Sequence, residues 1–325
     1  MPSKGIFIFF ILILFLFGII VIFFLSSINQ DKLFKFTPVI FLISLIFLVL
    51  VPVVGVEVKG SKRWIDIYML PRFQPIELVK PFLIIFISLI LSSQKYANIY
   101  FKYTFSFLTT LVVGLLLAVQ PDIGQTFLVF FCWLILIFIS GISIVFLGVL
   151  FSLLISTFSY LVFLVPKFAY IKNRLMSFFD PETGTHNFQP DKSIESIISG
   201  GFFGKGAGEG TLKNRVPEAH TDYIISVISE EFGVIAIILI ILLFLIFIYS
   251  VFKKVYFENE EKVKLILVGC VSLILMQAMI HIGVNIRLLP TTGMTLPFIS
   301  YGGSSIISIS ILSGIILNLT KRKIN

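Results

Sequence analysis

Residues 124–165 read GQTFLVFFCWLILIFISGISIVFLGVLFSLLISTFSYLVFLV, an apolar run without a single charged side chain. A helix needs about 20 apolar residues to cross the hydrocarbon core of a bilayer, and this run has twice that length. Glycine is the residue that most readily breaks such a run with a turn. We therefore predict two membrane spans joined in a hairpin at Gly141.

The rest of the chain has the same composition. Of its 325 residues, 58% are hydrophobic and 13% are charged, and the mean hydropathy is +1.06. Soluble domains carry about a quarter charged residues and disordered chains are poorly hydrophobic, so both classes are excluded. Two cysteines, both within apolar runs, exclude a disulfide scaffold. The composition predicts an all-α polytopic membrane protein.

The formal charge of +8 does not indicate a nucleic-acid partner. Lysine and arginine lie at the ends of the apolar runs, where anionic headgroups and the positive-inside rule account for them. The basic tail Lys321-Arg322-Lys323 favours the cytoplasm.

Hydropathy predicts nine spans, at residues 5–28, 37–56, 75–93, 103–119, 124–140, 142–165, 224–252, 263–286 and 304–320. The cytoplasmic tail then places three polar segments outside the cell: 57–74, the long loop 166–222 before the seventh span, and 287–303. The last is too apolar for a solvated linker and is predicted to re-enter the membrane, where it lines an outward polar cavity.

Several ionisable or polar residues lie in or beside spans, where they are costly. Glu77 and Lys80, three residues apart on one helix face, either form a salt bridge that fixes helix packing or contact a substrate. Asp122 lies in a break containing Pro121 and Gly124, and taken alone it is best interpreted as a helix cap. The stripe of Gln277, His281 and Asn285 favours interhelical hydrogen bonds over a metal site.

The long loop carries its own candidates. The glycine-rich segment 200–210 lacks the GxxxxGK[ST] pattern of a nucleotide-binding loop, and residues 191–203 can form an amphipathic helix on the membrane surface. Asp222 opens the seventh span, with Glu230 and Glu231 one or two turns below it. By spacing alone a helix cap is favoured there over a general base.

Six motifs, in this order, resemble the SEDS family of membrane glycosyltransferases (shape, elongation, division and sporulation). They are KGSKRWI at 59–65, QP..E..K at 74–80, QPDIG at 120–124, the glycine-rich segment 200–210, PEAHTD at 217–222 with EEFG at 230–233, and the run 289–305. The residues within these motifs are closer to those of the division members than to those of the elongation members. Family members usually have ten spans; here the first run aligns with the family's second, so the first family helix is absent or the chain begins downstream of the true start.

The resemblance implies polymerisation of lipid II into glycan strands for septal cell-wall synthesis, on the outer face of the cytoplasmic (inner) membrane. It makes the whole chain, 1–325, one integral-membrane domain. Asp222 matches the family's essential loop aspartate, which reverses the preference for a cap and makes it the expected general base. Residues expected to bind substrate or the lipid headgroup are Lys62, Arg63, Trp64, Glu77, Lys80, Asp122, Glu218, His220, Ser300 and Tyr301.

The resemblance also implies a partner, a class B penicillin-binding protein that crosslinks the strands. A divalent cation such as Mg²⁺ or Mn²⁺ can assist the diphosphate, although no ligand set in the sequence identifies one. Three alternatives stay open: a flippase that moves lipid II across the bilayer, an elongation polymerase, and a scaffold for the transpeptidase. Charges at membrane depth favour the enzyme over the scaffold.

Overall fold

The computed structural model describes residues 4–58, 60–66, 72–94, 98–179 and 188–321. Within these ranges the nine predicted spans correspond to nine apolar helices: α1 Lys4–Ser27, α2 Gln30–Val54, α3 Pro75–Leu91, α4 Ile99–Val119, α5 Ile123–Ile139, α6 Ile144–Leu164, α9 Ile224–Phe257, α10 Glu261–Asn285 and α11 Gly303–Thr320. Counting only residues whose side chains the structure describes, which leaves Leu12–Ser27 of α1, six of them have at least 18 residues and are apolar enough to cross a membrane. The polytopic helical fold is confirmed.

The break between two helices predicted at Gly141 is confirmed, and the hairpin arrangement stays a prediction. Helix α5 ends at Ile139, α6 begins at Ile144, and Gly141 between them has a φ of 94°. Residues other than glycine rarely adopt that left-handed backbone conformation, which is why a glycine interrupts the apolar run here.

The segment 57–74 contains a small β-hairpin that an all-α prediction omits. Strand β1 (Val56–Val58) pairs antiparallel with β2 (Ser61–Trp64), and Glu57 lies opposite Lys62. Gly60 makes the turn with a φ of 76°. Strands of three and four residues are too short to show a period of two, so no periodic pattern predicts them.

The long loop 166–222 is largely helical in its described part. It contains α7 (Ala169–Phe179), α8 (Phe188–Gly200) and a 3₁₀ turn at Leu212–Arg215. Helix α8 overlaps the amphipathic helix predicted at 191–203 but ends at Gly200. Asp180, Glu182 and His186 lie outside the described residues.

The chain divides into two compact units. The first comprises residues 1–140, 246–276 and 301–325, and the second comprises 141–245 and 277–300. In the first unit α3 is buried along nearly its whole length. The Asn318 amide of α11 donates to the carbonyl oxygens of Leu25 and Ile28, both at 2.6 Å, and so fixes the end of α1. That the whole chain is one domain stays a prediction.

In the second unit, α9 is broken at Gly233, whereas the sequence predicted an uninterrupted span. Gly233 has a φ of 77°, and the glycine-rich segment lies directly against the break. The amides of Lys205 and Gly206 donate to the carbonyls of Glu230 and Glu231, at 2.9 and 3.0 Å. These bonds satisfy helix carbonyls that the break would otherwise leave unpaired.

Glycine is required for this approach because the two backbones touch. A Cβ added at Gly233 would lie 2.1 Å from the carbonyl oxygen of Phe202, and one added at Gly204 would lie 2.2 Å from that of Glu231. The glycine-rich segment is therefore a packing element of α9.

Candidate active site

A buried charged cluster forms in the first unit around the first turn of α3. Lys80 and Glu77 are 0% and 3% exposed, and Lys80 Nζ lies 2.9 Å from Glu77 Oε1. The predicted pair on one helix face is confirmed. Gln125 of α5 donates through Nε2 to the same carboxylate oxygen, at 3.1 Å. Among the described groups, Glu77 Oε2 has no hydrogen-bond partner, so this carboxylate depends on Lys80 and Gln125.

Asp122 caps α5, as its interpretation as a helix cap predicted. Its carboxylate accepts from the amide of Gln125 at 3.4 Å and from Gln74 Nε2 at 3.1 Å, and Arg63 Nη1 lies 3.8 Å away. Asp122 is 3% exposed, and burial raises the pKa of its carboxyl group above the ordinary value while the Arg63 guanidinium opposes that shift. The cap is therefore also part of an ion pair.

Arg63 connects the β-hairpin to the turn between α4 and α5. Its Nε donates to the carbonyl of Gln120 at 3.2 Å, and its Nη2 donates to the carbonyl of Pro121. Its neighbours differ: Lys62 is exposed and Trp64 is half-buried. Lys59, the first residue of this motif, lies outside the described residues.

Asp222 lies in the second unit, two residues before α9, and is half-buried. Its amide donates to the carbonyl of Glu218 at 3.1 Å, and its own carbonyl accepts from Asn285 Nδ2 at 3.0 Å. A Cβ added at Gly293 would lie 3.5 Å from Asp222 Oδ2. The carboxylate therefore faces the 287–303 segment, and the main chain on either side of it is held in place.

The other predicted residues of this region play different parts. The carbonyl of Glu218, a residue with a φ of 57°, accepts the amides of Thr221, Asp222 and Tyr223 at 3.0–3.3 Å. His220 is exposed. Ser300 Oγ accepts from the amide of Leu296 and donates to the carbonyl of Thr221, both at 2.7 Å. Tyr301 is half-buried and belongs to the first unit.

The polar stripe of α10 forms hydrogen bonds with a loop, whereas the sequence favoured hydrogen bonds with another helix. Gln277 donates to the carbonyl of Thr295 at 3.0 Å, and His281 Nδ1 lies 2.7 Å from the carbonyl oxygen of Met294. Asn285 of the same stripe donates to the carbonyl of Asp222. The stripe thus holds the 287–303 segment beside Asp222. Its period placed all three residues on one face but could not identify the partner.

Glu230 is the residue whose role the sequence did not reveal. It is 0% exposed, and its Oε1 accepts the amides of Thr211 and Leu212, both at 2.9 Å. Its Oε2 accepts from Ser196 Oγ at 3.0 Å, and Lys205 Nζ lies 3.5 Å from Oε1. One buried carboxylate thereby joins α8, the glycine-rich segment and the 3₁₀ turn to α9. An acid within an apolar helix was the available signal.

No three His, Cys, Asp or Glu residues in the described part of the chain lie close enough together to hold a metal ion. The described site groups are thus carboxylates, amides, hydroxyls and basic side chains.

The chain is similar to several known proteins. The chain is 33% identical to the protein of Caulobacter vibrioides named probable peptidoglycan glycosyltransferase FtsW, over 87% of this chain and 72% of that one. A chain solved within a peptidoglycan synthase complex that coordinates polymerization and crosslinking is 28% identical, with a TM-score of 0.78 over 93% of this chain and 86% of that one. The Thermus thermophilus rod shape determining protein RodA is 26% identical, with a TM-score of 0.69 over 95% and 85%.

A family described as Cell cycle protein, that of FtsW, RodA and SpoVE, matches residues 3–325. The match covers both units and all the motifs quoted above. The chain therefore belongs to the FtsW, RodA and SpoVE family of polytopic membrane proteins, the SEDS family that its motifs resemble.

Proposed function

We propose that this protein is a peptidoglycan glycosyltransferase that polymerises lipid II into glycan strands for septal wall synthesis in cell division. The names of its relatives and the synthase complex to which it is similar support this proposal. The observation that carries it is Asp222, a half-buried carboxylate that faces the 287–303 segment while Glu218 and Asn285 hold its main chain. A fixed acid at the start of a span suits a general base.

In the proposed reaction Asp222 takes the proton from a sugar hydroxyl of the acceptor, a lipid-linked disaccharide. The hydroxyl oxygen attacks the anomeric carbon of the growing chain, and a new glycosidic bond forms. The bond between that carbon and the diphosphate breaks, and undecaprenyl diphosphate leaves with the electron pair. General-base catalysis of this kind contributes about 10²–10⁴-fold to rate.

Substrate contacts are proposed within each unit taken by itself. The exposed Lys62 and half-buried Trp64 suit the headgroup and a sugar face, respectively. The buried Glu77, Lys80 and Asp122 set the electrostatic potential beneath them. The remaining proposed contacts are Arg63, Glu218, His220, Ser300 and Tyr301.

The partner proposed for this chain is a class B penicillin-binding protein, a transpeptidase that crosslinks the strands. The proposed site of action is the outer face of the cytoplasmic membrane at the septum. Support comes from the similarity to a chain solved in a synthase complex and from the basic tail after α11, which favours the cytoplasm.

The test is lipid II polymerisation by the purified chain with its transpeptidase partner. Asp222→Asn keeps size and main-chain bonds, so we expect polymer formation to fall about 10²–10⁴-fold while the thermal unfolding temperature stays unchanged. Asp66→Asn, in an exposed ion pair with Arg72, is the matched control and should polymerise normally. Normal polymerisation by the Asp222 variant would remove the base assignment, and lipid II translocation without any polymer would favour a flippase.

A further inference from the structure

Two arginines of the second unit, Arg174 and Arg287, line one small cavity. Arg174 of α7 and Arg287, just after α10, enclose a space of about 10 Å³ together with Phe178, Pro190, Leu289, Pro290 and Thr291. Such a space admits about one water-sized group. Leu289 in its lining is 39% exposed, so part of the lining lies at the protein surface.

Arg287 is held there at a conformational cost. Its φ is 57°, a left-handed backbone conformation that residues with a side chain rarely adopt. Nη1 lies 2.6 Å from Asp191 Oδ1 of α8, whereas Nη2 is buried and has no acceptor among the described residues. Backbone strain of this kind is concentrated at functional sites.

The cavity is connected to Asp222 through one short stretch of chain. Residues 287–291 line it, and Gly293, two residues further on, is the position whose added Cβ would lie 3.5 Å from Asp222 Oδ2. Tyr223 gives a second link: burial raises the pKa of its hydroxyl, the Asp222 carboxylate adds to that rise, and the Arg174 guanidinium opposes it. The Arg174 guanidinium and the Asp222 carboxylate thus act in opposite directions on the pKa of the same hydroxyl.

We propose that Arg174 and Arg287 form an anion site whose ligand is a phosphate oxygen of a lipid-linked diphosphate. The site would stabilise the charge that develops on the leaving group beside Asp222. The planar guanidinium matches phosphate geometry with two parallel donors, and a pair of such groups suits a diphosphate. The cavity takes one oxygen, and the rest of the headgroup lies at its mouth. This inference rests on the proposed glycosyltransferase function.

The test is equilibrium binding of radiolabelled farnesyl diphosphate to the full chain in phosphatidylcholine nanodiscs. Arg174→Gln and Arg287→Gln should each weaken binding about ten-fold or more, since each removes a charge-assisted hydrogen bond. Arg215→Gln, an exposed arginine of the same unit, should change it less than about two-fold. Equal affinity in all three variants overturns the proposal.

The Asp191→Asn variant distinguishes an anion site from a purely structural ion pair between Arg287 and Asp191. It removes the carboxylate that competes for Arg287 but keeps the guanidinium, so probe binding should be retained or tightened. If Arg287 merely ties α8 in place, Asp191→Asn and Arg287→Gln lower the thermal unfolding temperature equally and neither alters binding; that result overturns the proposal.

Competition identifies the source of the phosphate. Excess inorganic pyrophosphate should displace the probe, and replacing phosphatidylcholine with phosphatidylglycerol should not; the opposite pattern overturns the assignment to a diphosphate. The Asp222→Asn chain should bind the probe at least as tightly as the wild type, since it loses a negative charge beside the site. If the wild type binds it through the arginines yet makes no polymer, the proposed function fails and the anion site stands. If polymerisation proceeds and arginine loss leaves binding unchanged, the anion site alone fails.

Discussion

The charged cluster of the first unit and the surroundings of Asp222 in the second unit hold their acids in different ways. In the cluster, side chains bind side chains: Lys80 pairs with Glu77, and Arg63 lies beside Asp122. Around Asp222, Asn285 and Glu218 bind the main chain. Paired charges fix the spacing of helices at the cost of their desolvation. Main-chain anchoring fixes the position of a residue through groups that every residue type carries.

The largest effect should come from breaking a side-chain pair. Lys80→Met leaves the Glu77 carboxylate buried without its counter-charge, and we expect a loss of about 3–5 kcal/mol in the free energy of unfolding. The measurement is denaturant-induced unfolding of the purified protein in detergent. The Glu77→Gln/Lys80→Met double variant should recover most of the loss because no uncompensated charge remains.

Lys62→Met is the control for this comparison, since Lys62 is exposed on the hairpin. It should leave the free energy of unfolding almost unchanged. If Lys80→Met lowered the free energy of unfolding as little as Lys62→Met, the buried pair would not stabilise α3. The proposed difference between the two regions would then be wrong.

A smaller loss is expected from disturbing the main-chain packing of the second unit. Gly233→Ala forces a side chain into a left-handed conformation and places a Cβ 2.1 Å from the carbonyl oxygen of Phe202. We expect destabilisation of about 3 kcal/mol, from the conformational strain and the overlap together. Thermal unfolding of the purified chain measures it.

Gly201→Ala separates the two causes. Gly201 has a φ of 58° but open space around its Cβ position, so its substitution should cost about 1–2 kcal/mol from conformation alone. Equal losses at both positions would mean that the backbone contact between the glycine-rich segment and α9 contributes nothing.

Much of the fold could be predicted because bilayer thickness fixes helix length. The nine apolar helices and the turn at Gly141 follow from apolar length and one glycine. The break in α9 could not be predicted, since residues 224–252 fit one long span by length and hydropathy despite Glu230 and Glu231. It depends on backbone hydrogen bonds with residues 25 to 33 positions earlier, and hydropathy carries no information about those.

The site could be predicted in part for a similar reason. The i, i+3 spacing of Glu77 and Lys80 is local, and so was the cap at Asp122. The partners of Gln277, His281 and Asn285 are set by the path of the 287–303 segment, which no period describes. Glu230 was visible as an acid in an apolar helix, but its partners lie in a loop whose course depends on tertiary packing.

Glu230 combines the two arrangements: its charged side chain is buried, as in the cluster, and it binds main-chain amides, as Asn285 binds the main chain of Asp222. Glu230→Gln keeps an oxygen for the amides of Thr211 and Leu212 and loses the charge that strengthens both bonds. We expect a loss of about 1 kcal/mol in the free energy of unfolding, the smallest effect of the series. Glu195→Gln, which removes one partner of the largely exposed pair with Lys192, should change stability by less. A loss as large as that of Lys80→Met would contradict this ranking, because it would mean that the charge of Glu230, rather than its hydrogen-bond geometry, organises the loop before Asp222.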